Sequence, residues 1–252
     1  MISLIDTHAH YNSADLENLN NEIISINSNK VISNIINVGI DYGISKDAID
    51  ISLNNSKFYS TIGVHPLKEG SIEVLNYLCD NCDLRRVVAI GETGIDTNGN
   101  VDEQIKKLIA SIILANKMKL PVIIHSNTTK NFNIDANKLC IEIIKKCKPQ
   151  YGFVFHCFQP NLEDLNEILK LGGYISIGPM ILKKNAKKSL DVVRNVSINS
   201  LLIETDYPYL TKNHDEDLFN IFNKVCLLKN MNKYCMEDYL NGNAKRLFYK
   251  MK

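Results

Sequence analysis

Residues 2–10 read ISLIDTHAH, a short apolar run that ends on two histidines one residue apart. The chain has only six histidines in 252 residues, so the pairing asks for a reason. An alternating pair at the end of a β-strand aims two imidazoles at one point, which suits a metal ion. An idle, exposed N-terminus would read the same way, and the rest of the chain has to decide.

The run of apolar, β-branched residues recurs. Such stretches occupy 2–6 (ISLID), 31–38 (VISNIINV), 58–64 (FYSTIGV), 86–90 (RVVAI), 121–125 (PVIIH), 151–156 (YGFVFH), 174–178 (YISIG) and 201–205 (LLIET). Between them lie segments of helical period. Residues 102–119 place apolar side chains at 105, 108, 109, 112 and 113, and 161–172 opens on Asn161 as an N-cap and closes on glycine. Residues 232–250 are expected to form a final helical hairpin.

Eight strands, each followed by room for a helix, predict repeated βαβ units and hence a (β/α)8 TIM barrel, which typically needs about 250 residues. Most runs are continuously apolar, as parallel strands covered on both faces should be. An open doubly wound sheet is the alternative, but no GxGxxG turn follows any run. With no Pro/Gly-rich linker and no low-complexity boundary, residues 1–252 are expected to form one domain.

Composition narrows the function. A formal net charge of +1 lacks the basic excess of proteins that grip nucleic acid by charge alone, although bound cations would add to it. No stretch approaches the roughly 18 apolar residues of a membrane span. The N-terminus lacks the basic region of a signal peptide and turns polar early. Seven cysteines without a spaced framework suit a reducing interior, and the lone CDNC of Cys79 and Cys82 has no second pair beside it. A cytoplasmic protein without a membrane partner is expected, and a monomer.

In a barrel, the C-terminal strand ends converge on one pocket. His8 and His10 follow the first run, His65 the third, Glu92 the fourth and Asp206 the eighth; His125 and His156 end the fifth and sixth. Of the six histidines, His214 alone falls outside this scheme. Singly, each residue has a plain structural reading: a hydrogen-bonded histidine, a helix-capping Glu92, a turn-forming Asp206. Jointly those readings fail, because so many imidazoles and carboxylates in one pocket are costly without a cation. The donor set exceeds one tetrahedral zinc site and suits two divalent ions bridged by a carboxylate, with Mg, Mn or Zn as candidates.

DTHAH, GVHP, AIGETGID with Gln104 downstream, LPVIIH, FHCF, YISIGP, LLIETDYPYL and NAKRLF resemble the TatD family of metal-dependent deoxyribonucleases, a branch of the amidohydrolase-like metallohydrolases. The blocks stand in family order from residue 5 to 248. The resemblance implies that His8, His10 and Asp206 bind one metal, that His125 and His156 bind the other, and that Glu92 bridges. It implies that Asp206 also takes the proton of the attacking water, that His65 meets the substrate, and that Glu204 orients a neighbouring ligand.

Two places depart from the family pattern. Where members carry HxR after the fifth strand, this chain reads HSN (125–127), and an Arg-x-x-Asn-Glu-Pro-like stretch is replaced by TKNHDEDLF (211–219). Lys183, Lys184, Lys187 and Lys188 stand after the seventh strand, either facing phosphate or lining a solvated helix. The expected function is hydrolysis of DNA phosphodiesters, as a 3′-5′ exonuclease on single-stranded or 3′ ends. A small-molecule amidase, lactonase or deaminase is the alternative, and a binding barrel without turnover is the third reading.

Overall fold

The computed structural model describes residues 1–13, 16, 18–129, 134–158 and 161–251. The single-domain reading of 1–252 therefore extends one residue beyond them, to Lys252. Eight strands run β1 (Leu4–Ala9), β2 (Ile32–Asn37), β3 (Phe58–Ile62), β4 (Val87–Asp96), β5 (Val122–Asn127), β6 (Phe153–Phe155), β7 (Tyr174–Ile177) and β8 (Leu201–Ile203). Each pairs in parallel with the next.

The sheet closes on itself. The Asp206 N–H donates to His8 O at 2.9 Å, the His10 N–H donates to Tyr207 O at 2.6 Å, and Ala9 bridges Tyr207 in parallel. The architecture is the expected (β/α)8 TIM barrel. Helices α1 (Leu19–Ser28), α2 (Tyr42–Asn54), α3 (Ile72–Asn81), α4 (Val101–Met118), α5 (Ala136–Cys147), α6 (Leu162–Lys170), α7 (Lys187–Asn195) and α8 (His214–Lys229) follow successive strands. Asn161 caps α6 as expected, accepting the Asp164 N–H.

The tail differs from expectation. Residues 232–250 form one helix, α9 (Lys233–Leu247), not a hairpin; its hairpin partner is α8, which ends on Asn230 in the left-handed region at φ 48°. Gly242 lies inside α9, where a Cβ would meet nothing within 4 Å, and the helix runs through it. The helix seals the N-terminal mouth of the barrel. Ile5, Ile36, Tyr59, Val88, Ile123, Val154 and Leu202 form an interior layer with Ala244, Leu247, Phe248 and Met251 beneath it.

Two irregularities shape the other mouth. Between Asp6 and Ala9, β1 advances three residues against two on β2, and β4 does the same between Ile90 and Thr93 against β5. Each bulge re-aims the side chains beside it, and these are the strand segments that carry His8 and Glu92. β4 runs on through GETGID because its glycines fit where side chains cannot. Gly94 has φ 153°, and a Cβ there would lie 1.9 Å from His125 O. Gly94→Ala should therefore destabilise the protein by about 3 kcal/mol or more, read as the fall in urea-unfolding free energy. A loss under about 1 kcal/mol would show that β4 and β5 separate easily.

Candidate metal centre

The residues expected at the strand exits meet at the C-terminal mouth. His8 Nε2 and His10 Nε2 face each other at 3.1 Å. Glu92 Oε2 lies 3.4 Å from His8 Nε2 and 3.8 Å from His10 Nε2. Asp206 Oδ1 lies 3.7 Å and 3.3 Å from the same two nitrogens. Ligands about 2.0–2.1 Å from one tetrahedral ion stand roughly 3.3 Å apart, so this quartet has the edge lengths of a coordination shell.

The other oxygen of Glu92 faces a second group. Oε1 lies 2.7 Å from His125 Nδ1 and 2.8 Å from His156 Nε2, and these two nitrogens are 3.1 Å apart. His65 Nε2 stands at the edge of this group, 3.6 Å from Glu92 Oε1. One carboxylate thus divides its oxygens between two sets of imidazoles, which is the arrangement of a bridging ligand. These donors fit divalent metal. Two imidazole lone pairs at van der Waals range and a buried carboxylate need positive charge among them.

Each donor is held from behind. The His8 N–H donates to Asp6 Oδ1 at 3.0 Å, and Asp6 also receives the Thr205 hydroxyl at 2.5 Å and His214 Nε2 at 2.6 Å. Tyr11 joins His214 Nδ1 at 2.5 Å, and burial pushes the Tyr11 hydroxyl far up. This buried set ties the strand bearing His8 to the segment bearing Asp206, which sits at φ 53°. Asp96 Oδ2 meets His125 Nε2 at 3.1 Å and Asn127 Nδ2 at 3.1 Å. Glu204 Oε1 stands 3.6 Å from His156 Nδ1 and accepts the Cys157 N–H.

Asp6, Asp96 and His214 were missed as site residues. Asp6 and Asp96 lie inside the quoted motifs, but a carboxylate there reads equally well as a cap. The departures from the family pattern gain a physical reading. Asn127 of HSN supports Asp96, and His214 of TKNHDEDLF supports Asp6. The four lysines after β7 are exposed and do not line the cavity above the metal centre. That cavity, about 330 Å³, is bounded by His10, Ile40, His65, Leu67, Lys68 and Tyr209 over the donors.

Electrostatics follow from packing. Burial pushes the Glu92 carboxyl up, but the charges of His156 and His65 and hydrogen bonds from His125 and His156 outweigh it and hold it well below the usual range. Burial lowers His125 and His156, yet Asp96 and Glu92 raise the first and Glu92, Cys157 and Glu204 the second above the ordinary imidazole value. Burial takes His65 down to about 4. Since the Leu67 N–H donates to His65 Nδ1 at 3.2 Å, the neutral ring carries its proton on Nε2, toward the cavity.

A pH dependence follows. Raised histidine pKa values stabilise the fold fully below the unfolded value of about 6.5 and lose that contribution as pH rises through the folded values. His65 is neutral in both states above about 6.5 and does not oppose this. Protein kept in EDTA should lose thermal stability from pH 6 to 9, whereas loaded protein, in which cations replace the imidazolium charge, should lose less. Parallel melting curves for the two forms would contradict this.

A sequence model of the family described as TatD related DNase matches residues 5–249. An uncharacterized metal-dependent hydrolase of Bacillus subtilis strain 168, YabD, is 31% identical over 97% of this chain and 98% of its own length. The 3′-5′ ssDNA/RNA exonuclease TatD of a Rahnella strain is 29% identical over 75% of this chain and 76% of its own. Among solved structures, the TatD homologue YjjV of Escherichia coli K12 superposes with a TM-score of 0.87 at 26% identity, covering 98% of both chains.

Proposed function

The chain belongs to the TatD-related DNase family of metal-dependent hydrolases, and from that premise we propose that it is a deoxyribonuclease trimming DNA ends in the 3′-5′ direction. The observation that carries the reading is Glu92, with Oε2 toward His8 and His10 and Oε1 toward His125 and His156. His8, His10 and Asp206 would hold one divalent cation and His125 and His156 the other, with Glu92 between them. Cations there supply Lewis-acid polarisation of a phosphoryl oxygen and activation of a water.

The chain's own groups do the rest. Asp206, at the cavity floor beside His10, takes the proton of the attacking water. His65 offers Nε2–H to a substrate oxygen. Asp6, Asp96 and Glu204 keep the imidazoles aimed, so little reorganisation is needed during reaction. A cavity of about 330 Å³ admits a strand end more readily than intact duplex. Support for a nucleic-acid substrate comes from the Rahnella exonuclease at 29% identity. A monomer in the cytoplasm belongs to the same reading, and its seven free cysteines are consistent with a reducing compartment. Among the described residues no helix is long and apolar enough to cross a membrane.

The test is a 3′-overhang oligonucleotide incubated with the protein and Mg or Mn, beside an EDTA control. A ladder of shortened products that vanishes with EDTA is expected. No cleavage by protein shown to carry its metals would overturn the nuclease reading and turn attention to small esters and amides.

A further inference from the structure

We propose that a single-stranded nucleic acid leaves the metal centre across the loop joining β3 to α3. Lys68 holds the phosphate next to the scissile one, while Tyr209 and Tyr42 stack bases on either side of it. The proposal rests on the phosphodiesterase reading above and adds the path of the strand.

The loop is a sill between two depressions. On one side lies the cavity over the metal centre, with Leu67, Lys68 and Tyr209 in its wall. On the other lies a groove of about 470 Å³ lined by Tyr42, Gly43 and Val64, and again by Leu67 and Lys68. Lys68 is the one lysine or arginine among the described residues lining the cavity.

Its backbone is fixed at both ends. The Lys68 N–H donates to His65 O at 3.0 Å, and Lys107 Nζ donates to Lys68 O at 2.7 Å. The side chain is half-exposed and pairs only loosely with Asp41 Oδ2, at 4.0 Å. The other Asp41 oxygen is committed to capping α2, accepting the Ile44 N–H at 2.9 Å. A weak exposed pair of this kind gains little, so the ammonium can turn to a phosphate at small cost.

The aromatic groups flank it. Tyr209 is half-exposed and lines the cavity, and its ring sits 4.9 Å from that of His10 at a 56° tilt. Tyr42 is also half-exposed and stands 6.0 Å from the ring of Tyr77. Asp41 and Glu69 line the outer groove too, which disfavours a second phosphate there and leaves the base as the handle. Alternating cation and aromatic ring suits a single strand without sequence preference, because every base offers a π-face.

Labelled oligothymidylates of two, three and more nucleotides, assayed with metal-loaded wild type and variants, test the path. A dinucleotide carries only the scissile phosphate, so the outer contacts begin with the third nucleotide. On the trinucleotide, Lys68→Gln should raise KM about tenfold with kcat within about twofold, and should flatten the slope of log KM against log salt by about 0.7. Tyr42→Ala should lower kcat/KM about tenfold on the trinucleotide, at least fivefold more than on the dinucleotide, with Tyr42→Phe restoring it. Tyr209→Ala should cost about the same at both lengths. Equal losses at both lengths for Tyr42→Ala, or an unchanged KM and salt slope for Lys68→Gln, would overturn the path while leaving the nuclease reading intact. Wild type inert on every oligonucleotide would overturn both.

Discussion

Glu92→Gln should lower kcat by about a thousandfold or more and remove most of the stabilisation that metals confer. The substitution keeps the shape of the side chain but removes its charge and one acceptor oxygen. Both oxygens are in use: Oε2 is 3.4 Å from His8 Nε2, and Oε1 is 2.7 Å from His125 Nδ1. An amide would turn NH2 toward one group of imidazoles, where a donor repels a cation. Both groups therefore suffer from one replacement. For a ligand at about 100 times its Kd, one site contributes about 2.7 kcal/mol of stability. In a chain of this size that corresponds to a rise in melting temperature of roughly 5–10 °C. Wild type should show at least this rise with Mn or Zn over EDTA, and Glu92→Gln less than half of it. An unchanged metal content and an unchanged rise would show that Glu92 does not bridge.

Much of this was legible in the sequence because parallel barrel strands are buried on both faces and so announce themselves as unbroken apolar runs. All eight runs became strands. What was not legible came from backbone geometry and from pairs far apart in the chain. The fourth run was expected over 86–90, yet β4 continues to Asp96 because glycine alone at 91 and 94 allows its close approach to β5. The tail was expected as a hairpin and is one helix, because Gly242 inside it costs only about 1 kcal/mol in propensity against the packing of a helix that seals the barrel. The candidate donors stood out because imidazoles at strand exits have no good structural reason to gather. Of the carboxylates behind them Glu204 was anticipated, but Asp6 and Asp96 were not. His214 meets Asp6 across 208 residues of sequence, and no local pattern marks one for the other.

Asp206→Asn should separate proton transfer from metal binding. Asp206 sits where the barrel closes, its N–H on His8 O and its carbonyl accepting the Tyr209 and Leu210 N–H groups at 2.9 and 3.1 Å. Asparagine tolerates the same left-handed backbone, so the fold and the position of the side chain should survive. Its carbonyl oxygen can still face His8 and His10 and ligate, whereas an amide accepts no proton from water. The expected result is a kcat lowered by roughly 10²–10⁴ with more than half of the metal-induced rise in melting temperature retained. Glu92→Gln should lose both, and that contrast carries the assignment. If Asp206→Asn loses the metal response as fully as Glu92→Gln, Asp206 acts chiefly as a ligand and the proton goes elsewhere. If it turns over within about threefold of wild type, the proton acceptor must be another group at the cavity wall.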